Sequence, residues 1–173
     1  PPVSFMEQGL CRRDSLFMYF GHGGGQTCYS RKQVENLISR RDGHEERACS
    51  ATVVLMGCSS GRLVSVNRKH SQSLEQQVPL YYEPEGIALS YLCAGAPCVV
   101  GNLWDVTDHD IDRFSTALLQ QFLQSNHDGD EDRGSCSESL ASCVAKSREA
   151  CKLRFIVGCA PVCYGVPVRL MRN

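Results

Sequence analysis

No apolar run in this chain approaches the ~18 residues that a membrane-spanning helix needs, so a transmembrane role has no support. Charge of one sign is also missing. Eighteen Lys and Arg against 19 Asp and Glu leave a net charge of −1, and the basic residues are scattered. That removes the electrostatic footprint of a nucleic-acid or membrane surface. There is no C-x2-C pair among 11 Cys and 5 His, so the spacing of a closed zinc site is absent. Cys159 and Cys163 are four apart but lie on and just after an apolar run. Asp128, Asp130 and Asp132 imitate a calcium loop, yet Arg133 stands where glycine is required and Ser139 where glutamate is required. No Walker lysine follows the glycines after His22, and G-x-G-x-x-G is broken at Gln26. No metal and no cofactor are therefore expected. There are no internal repeats. No initiator Met, basic n-region or signal h-region accompanies Pro1-Pro2, which points to a piece of a longer chain.

What is abundant is cysteine, in an odd number. Cys93, Cys98, Cys159 and Cys163 sit inside apolar runs, where a free thiol behaves as a small hydrophobe. A secreted disulfide framework favours a smaller, loop-rich chain with an even count. The reading is a reducing, intracellular compartment. At 173 residues and 42% apolar content, the chain is one domain with enough material for a core.

Two stretches organise the rest: Leu16-Phe17-Met18-Tyr19-Phe20-Gly21-His22-Gly23-Gly24-Gly25 and Ala51-Thr52-Val53-Val54-Leu55-Met56-Gly57-Cys58-Ser59-Ser60-Gly61. Each is an apolar run of strand length that stops at glycine and then presents a side chain able to do chemistry near neutral pH. Residues 1–14 look polar and irregular. A short amphipathic helix is predicted over 33–41 and a polar loop over 42–49. Residues 52–56 form a second buried strand, which makes a right-handed parallel crossover. Residues 62–82 read as a polar surface insertion, 84–94 as a helix with Pro84 in its first turn and Gly95 beyond its end, and 98–103 as a third strand. Thr107 and Asp110 are spaced like a capping box. They open a helix whose apolar stripe is Ile111, Phe114, Leu118, Leu119 and Phe122. Residues 125–137 read as an acidic mobile loop, 138–151 as a weaker helix, 153–159 as a fourth strand and 161–169 as an extended exit. The alternation predicts an α/β fold with a mainly parallel sheet and helices on both faces. Four strands are few for such a sheet, so one or two more are expected upstream.

Cys58 and His22 are 36 residues apart, one crossover unit, and adjacent strands would bring both to one sheet edge. A cysteine nucleophile needs a base or cation beside it, and backbone donors for the oxyanion. For an isolated His and Cys, core packing would be the better reading. Two such residues at consecutive strand ends, each among glycines, favour catalysis. A rival sits in the same letters. Gly57-Cys58-Ser59-Ser60-Gly61 fits G-x-S-x-G and His22-Gly23-Gly24-Gly25 fits the HGGG oxyanion motif, so Ser59 would attack as in a serine esterase. Against it, only His70, His109 and His127 follow Ser59, each in or beside a polar loop or cap, and too few residues remain for the hydrolase strands.

Four segments carry a resemblance. They are Phe20-Gly21-His22-Gly23, Met56-Gly57-Cys58-Ser59-Ser60, the run from Gly101 to Arg113 containing Asn102-Leu103-Trp104-Asp105-Val106-Thr107-Asp108, and the run from Gly158 to Val168 containing Ala160-Pro161 and Tyr164-Gly165-Val166-Pro167-Val168. In this order, from about Leu16 to Leu170, they resemble separase in its active protease domain, which has the caspase-like fold. The chain 1–173 would be part of that catalytic domain. The resemblance implies a cysteine endopeptidase that cuts the cohesin kleisin subunit after arginine and so releases sister chromatids at anaphase. It implies a securin-type inhibitor in the substrate groove, and a place in cytoplasm and nucleus, on spindle and chromatin in mitosis. Carried over by motif, Cys58 is the nucleophile and His22 the general acid/base, and the N–H groups of Gly23 and Cys58 form the oxyanion hole. Arginine recognition needs a fixed carboxylate. Asp105, directly after the third strand, is the first choice, with Trp104 as a pocket wall. Asp108 is the second, because its place at a helix start already explains it. A second class of reading is a binding-only module that keeps the pocket without cutting. The 62–82 segment is longer than the resemblance leads one to expect, and the family's helical repeats and pseudo-protease half are not in the sequence.

Overall fold

A computed structural model describes residues 3–41, 44–47, 49–67, 82–124 and 138–170. Its centre is a four-stranded sheet in the order β1-β4-β7-β8. The strands are β1 (Leu16–Tyr19), β4 (Thr52–Leu55), β7 (Cys98–Asn102) and β8 (Pro161–Gly165). The first three are parallel and β8 runs antiparallel along β7. The sheet has helices on both faces, as the caspase-like expectation requires. Alternation along β4 shows why. Val53 and Leu55 join Val34, Ile87, Ala88 and Tyr91 on one side. Val54 and Met56 join Ile111, Phe114, Leu118, Leu140 and Val144 on the other. Successive strand residues face opposite ways, so a strand covered on both faces must be apolar throughout.

The first face is covered by α1 (Val3–Leu10), α2 (Arg31–Glu35) and α3 (Ile87–Ala94), the second by α4 (Asp108–Gln124) and α5 (Leu140–Ser147). Gly95 caps α3 as expected. The predicted stripe of α4 holds at four of its five positions: Ile111, Phe114, Leu118 and Phe122 are buried, each contributing about 1.5–3 kcal/mol, while Leu119 at the edge of the stripe is only partly covered.

Seven local expectations are corrected. Residues 3–10 are helical, because Met6 and Leu10, four apart, both bury their side chains. The helix predicted over 33–41 starts at Arg31, where Ser30 and Gln33 form a capping box, and ends at Glu35. β2 (Ile38–Arg41), the second half of that supposed helix, then pairs antiparallel with β3 (His44–Arg47), which lies in the supposed loop. The ends of the 62–82 segment are likewise a ribbon, β5 (Val64–Asn67) against β6 (Tyr82–Glu85). Pro84 lies in β6 opposite Ser65 and not in a helix. A two-stranded ribbon leaves one side of each strand unpaired, which suits a residue with no N–H. Residues 68–81 and the acidic segment 125–137 lie outside the described residues. The fourth strand is β8, not 153–159. That run is a compact turn in which Ile156, Val157 and Gly158 N–H all converge on Leu153 O. Finally, the carboxylate of Asp110 does not close a cap on Thr107. It accepts N–H bonds from Lys152 (3.0 Å) and Leu153 (2.8 Å) and an ion pair from Arg113 (3.0 Å). Among the described residues no helix is long and apolar enough to cross a membrane.

Candidate active site

The C-terminal ends of β1, β4 and β7 form one edge, and each carries a motif there. β1 and β4 pair in register up to Tyr19 opposite Leu55. His22 and Cys58 stand equally far past that last pair. The two tips are pressed together at Gly57, where an added Cβ would collide with the carbonyl oxygens of Gly21 and Gly23. Only glycine permits that approach. Gly23 takes φ of 60°, which turns the chain sharply behind His22.

The turn after β4 is tied to the exit of β7 residue by residue. Asn102 Nδ2 donates to Gly57 O at 3.0 Å, and Ser60 Oγ accepts from Asn102 N at 3.0 Å. Gly61 N donates to Asn102 O (2.8 Å) and Ser59 N to Trp104 O (3.1 Å). Ser59 Oγ donates to Asp105 Oδ1 at 2.7 Å. The Cys58 thiol donates to Val106 O at 3.3 Å, while Val106 N–H approaches the same sulfur at 3.4 Å. Asn102 is fully buried. It lies within the resemblance motif but was not singled out as a site residue; an amide ending an apolar strand beside a reactive turn is the signal that could have found it.

Cys58 is half-buried and His22 exposed. The His22 carbonyl accepts the Tyr19 hydroxyl at 3.2 Å. Among the described residues its ring has no hydrogen-bond partner, so the thiol rests on Val106 and not on the imidazole. Also among the described residues, the N–H groups of Gly23 and Cys58 have no acceptor. The Ser59 proton goes to a carboxylate rather than an imidazole, which removes the arrangement a serine esterase needs.

Asp105 is exposed at the β7 exit with Oδ1 held by Ser59. Trp104 is 40% exposed, and its indole N–H donates to Ile156 O at 2.6 Å. That bond connects the β7 exit to the 153–158 turn, where Phe155 and Ile156 are exposed. The sequence did not single out this turn, because its apolar letters look like a strand. Asp108 opens α4 and is exposed, in keeping with a helix-start role. Asp110 is the other acid of consequence. N–H bonds from Leu153 and Lys152, then Arg113, hold its carboxyl below the ordinary aspartate range.

The buried thiols are a different population. Burial pushes Cys49 up to about 11 and raises Cys143 and Cys151. Cys98 rises and Cys163 falls, because the two thiols share a hydrogen bond across β7 and β8. Among the described residues no three His, Cys, Asp or Glu side chains gather as metal ligands.

A mainly parallel sheet with helices on both faces, its three parallel strands ending at one edge, defines a caspase-like α/β domain. The family model for the separin protease domain matches residues 1–111, and the chain belongs to that family. It is 40% identical over 155 residues to the separin of Emericella nidulans, 37% over 158 residues to that of Schizosaccharomyces pombe, and 34% over 170 residues to that of Mus musculus. These matches cover 88%, 91% and 98% of the chain but only 6%, 7% and 6% of the relatives. The chain therefore spans less than a tenth of their length. The separase in the Saccharomyces cerevisiae separase–securin complex superposes with a TM-score of 0.68 at 33% identity, over 98% of this chain and 9% of that one.

Proposed function

We propose that this chain is the catalytic core of a cysteine endopeptidase that cuts a protein after arginine, its substrate being the kleisin subunit of cohesin. The observation that carries the reading is the joining of the Cys58 turn to the Asp105 exit, so that a nucleophile and a carboxylate for arginine share one rigid edge. Family membership supplies the reaction class.

In this mechanism His22 takes the Cys58 thiol proton, releasing the sulfur from Val106 O. The thiolate attacks the scissile carbonyl carbon. A C–S bond forms, and the carbonyl π electrons move to oxygen, where Gly23 N–H and Cys58 N–H receive the charge. The protonated His22 gives its proton to the leaving amine as the C–N bond breaks. Water, deprotonated by His22, then hydrolyses the thioester and the thiol is restored. Asp105 holds the arginine guanidinium, and Trp104 forms a wall of that pocket.

A securin-type inhibitor is the corresponding partner, supported by the likeness to the separase of a separase–securin complex. The setting is the cytoplasm and nucleus of a dividing cell. The test is cleavage of a kleisin peptide by the full-length protein. Cys58→Ser should remove cleavage while inhibitor binding survives. Undiminished cleavage in Cys58→Ser would rule the reading out. Cleavage lost in the wild type as well, with inhibitor binding kept, would favour a binding-only module.

A further inference from the structure

Ser59 has no part in the reaction above, yet its conformation and contacts are unusual. It is one of two described non-glycine residues with positive φ, at 53°, a backbone region that costs an L-residue free energy. Its hydroxyl does not cap its own turn. It reaches across to Asp105 Oδ1 at 2.7 Å, while its N–H holds Trp104 O at 3.1 Å. An exposed aspartate rotates freely unless something holds it. Here one carboxylate oxygen is engaged by a neutral hydroxyl, and the other faces no protein donor among the described residues.

We infer that Ser59 is a positioning residue for P1 specificity. It fixes the plane of the Asp105 carboxylate so that a planar guanidinium meets it as a fork rather than as a point charge. This rests on the reading of Asp105 given above. The physical reason is that a guanidinium gains from two parallel N–H···O bonds only when the carboxylate plane is set beforehand. A lysine ammonium needs no such alignment. Ser59 therefore acts on discrimination between arginine and lysine. Because it follows Cys58 directly, it also sets the distance from the P1 carboxylate to the nucleophile.

The test uses the full-length protein and two kleisin peptides that differ only in Arg or Lys at the cleaved position. Ser59→Ala removes the hydroxyl. Ser59→Gly removes it and also relieves the positive φ. Both should raise KM for the Arg peptide about tenfold, the low end for losing a hydrogen bond to a charged group. Both should leave kcat within a factor of about two and narrow the Arg-to-Lys preference. Ser59→Ala combined with Asp105→Asn should be no worse than Asp105→Asn alone. An unchanged KM and unchanged Arg-to-Lys ratio in both Ser59 variants, with Asp105→Asn impaired, overturns the role of Ser59 and leaves Asp105 as the reader. Normal Arg cleavage by Asp105→Asn overturns the pocket reading itself. A fall in kcat at constant KM, matched by slower alkylation of Cys58 by iodoacetamide, would show that Ser59 merely shapes the turn, and also overturns the inference.

Discussion

Two runs of nearly equal apolar character end up in opposite states. Thr52-Val53-Val54-Leu55-Met56 lies in the sheet, with all but Thr52 buried, between two parallel neighbours. Leu153-Arg154-Phe155-Ile156-Val157 is a turn in which Phe155 is 83% and Ile156 62% exposed. The first run has hydrogen-bonding partners on both sides and apolar cover on both faces. The second has neither, and its N–H groups are taken by Leu153 O and by the Asp110 carboxylate. Strand formation depends on available edges, not on apolar letters alone. Both runs nevertheless border the candidate site. The first delivers Cys58, and the second supplies the carbonyl that holds Trp104.

The comparison can be broken most sharply at Gly57. Gly57→Ala should push the Cys58 turn away from Gly21 and Gly23, cost about 3 kcal/mol or more and remove cleavage. Retained activity in the full-length protein would show that the tips need not touch. Next, Val54→Ala should lower the opening free energy of the β4 amides by about 2 kcal/mol, read by native-state hydrogen exchange.

Asp110→Asn should have a smaller effect, confined to the second run. It should speed exchange of the Lys152 and Leu153 amides at neutral pH and raise KM more than it lowers kcat, since Trp104 loses a fixed partner. Because the folded carboxyl sits below its ordinary value, its contribution is present above the unfolded value of about 3.9. It drains away as pH falls through the folded value. The exchange difference between wild type and Asp110→Asn should therefore begin to narrow below about pH 4 and close only once the pH has passed below the lowered folded value; a gap that persists below that value means the charge is not what holds the turn. Smallest of all, Phe155→Ala should change stability by less than about 0.5 kcal/mol. A larger loss, seen as faster exchange across 153–158, would mean that the exposed ring is packed after all.

Much of the fold was readable because burial on both faces writes itself as continuous apolar runs. β1, β4 and β7 were found that way, and α4 by its 3.6 period. The misses share a cause. Ile38–Arg41 and Val64–Asn67 became strands because a partner segment was at hand, which composition does not reveal. Pro84 suggested a helix start because the same fixed φ suits a ribbon edge. Asp110 has the spacing of a capping residue, yet its carboxylate bonds to amides 42 and 43 positions away, a separation that no local pattern encodes. In the candidate site, the glycines around His22 and Cys58 marked the turns, and the need for a carboxylate to meet arginine pointed to Asp105, beside Trp104 at the third strand end. The bonds from Ser59, Val106 and Asn102 were not legible.

Local chemistry in the chain determined which segments had to be buried, which residues end the strands, and which side chains there can carry a proton or a nucleophilic sulfur. Tertiary structure alone decided that Gly57 touches the His22 loop, that Cys58 rests on Val106, that Ser59 holds Asp105, and that an apolar run becomes a turn on Asp110. The reason is range. Periodicity and turn propensity act over a few residues, whereas these contacts form only once the sheet has aligned strand ends from distant parts of the chain.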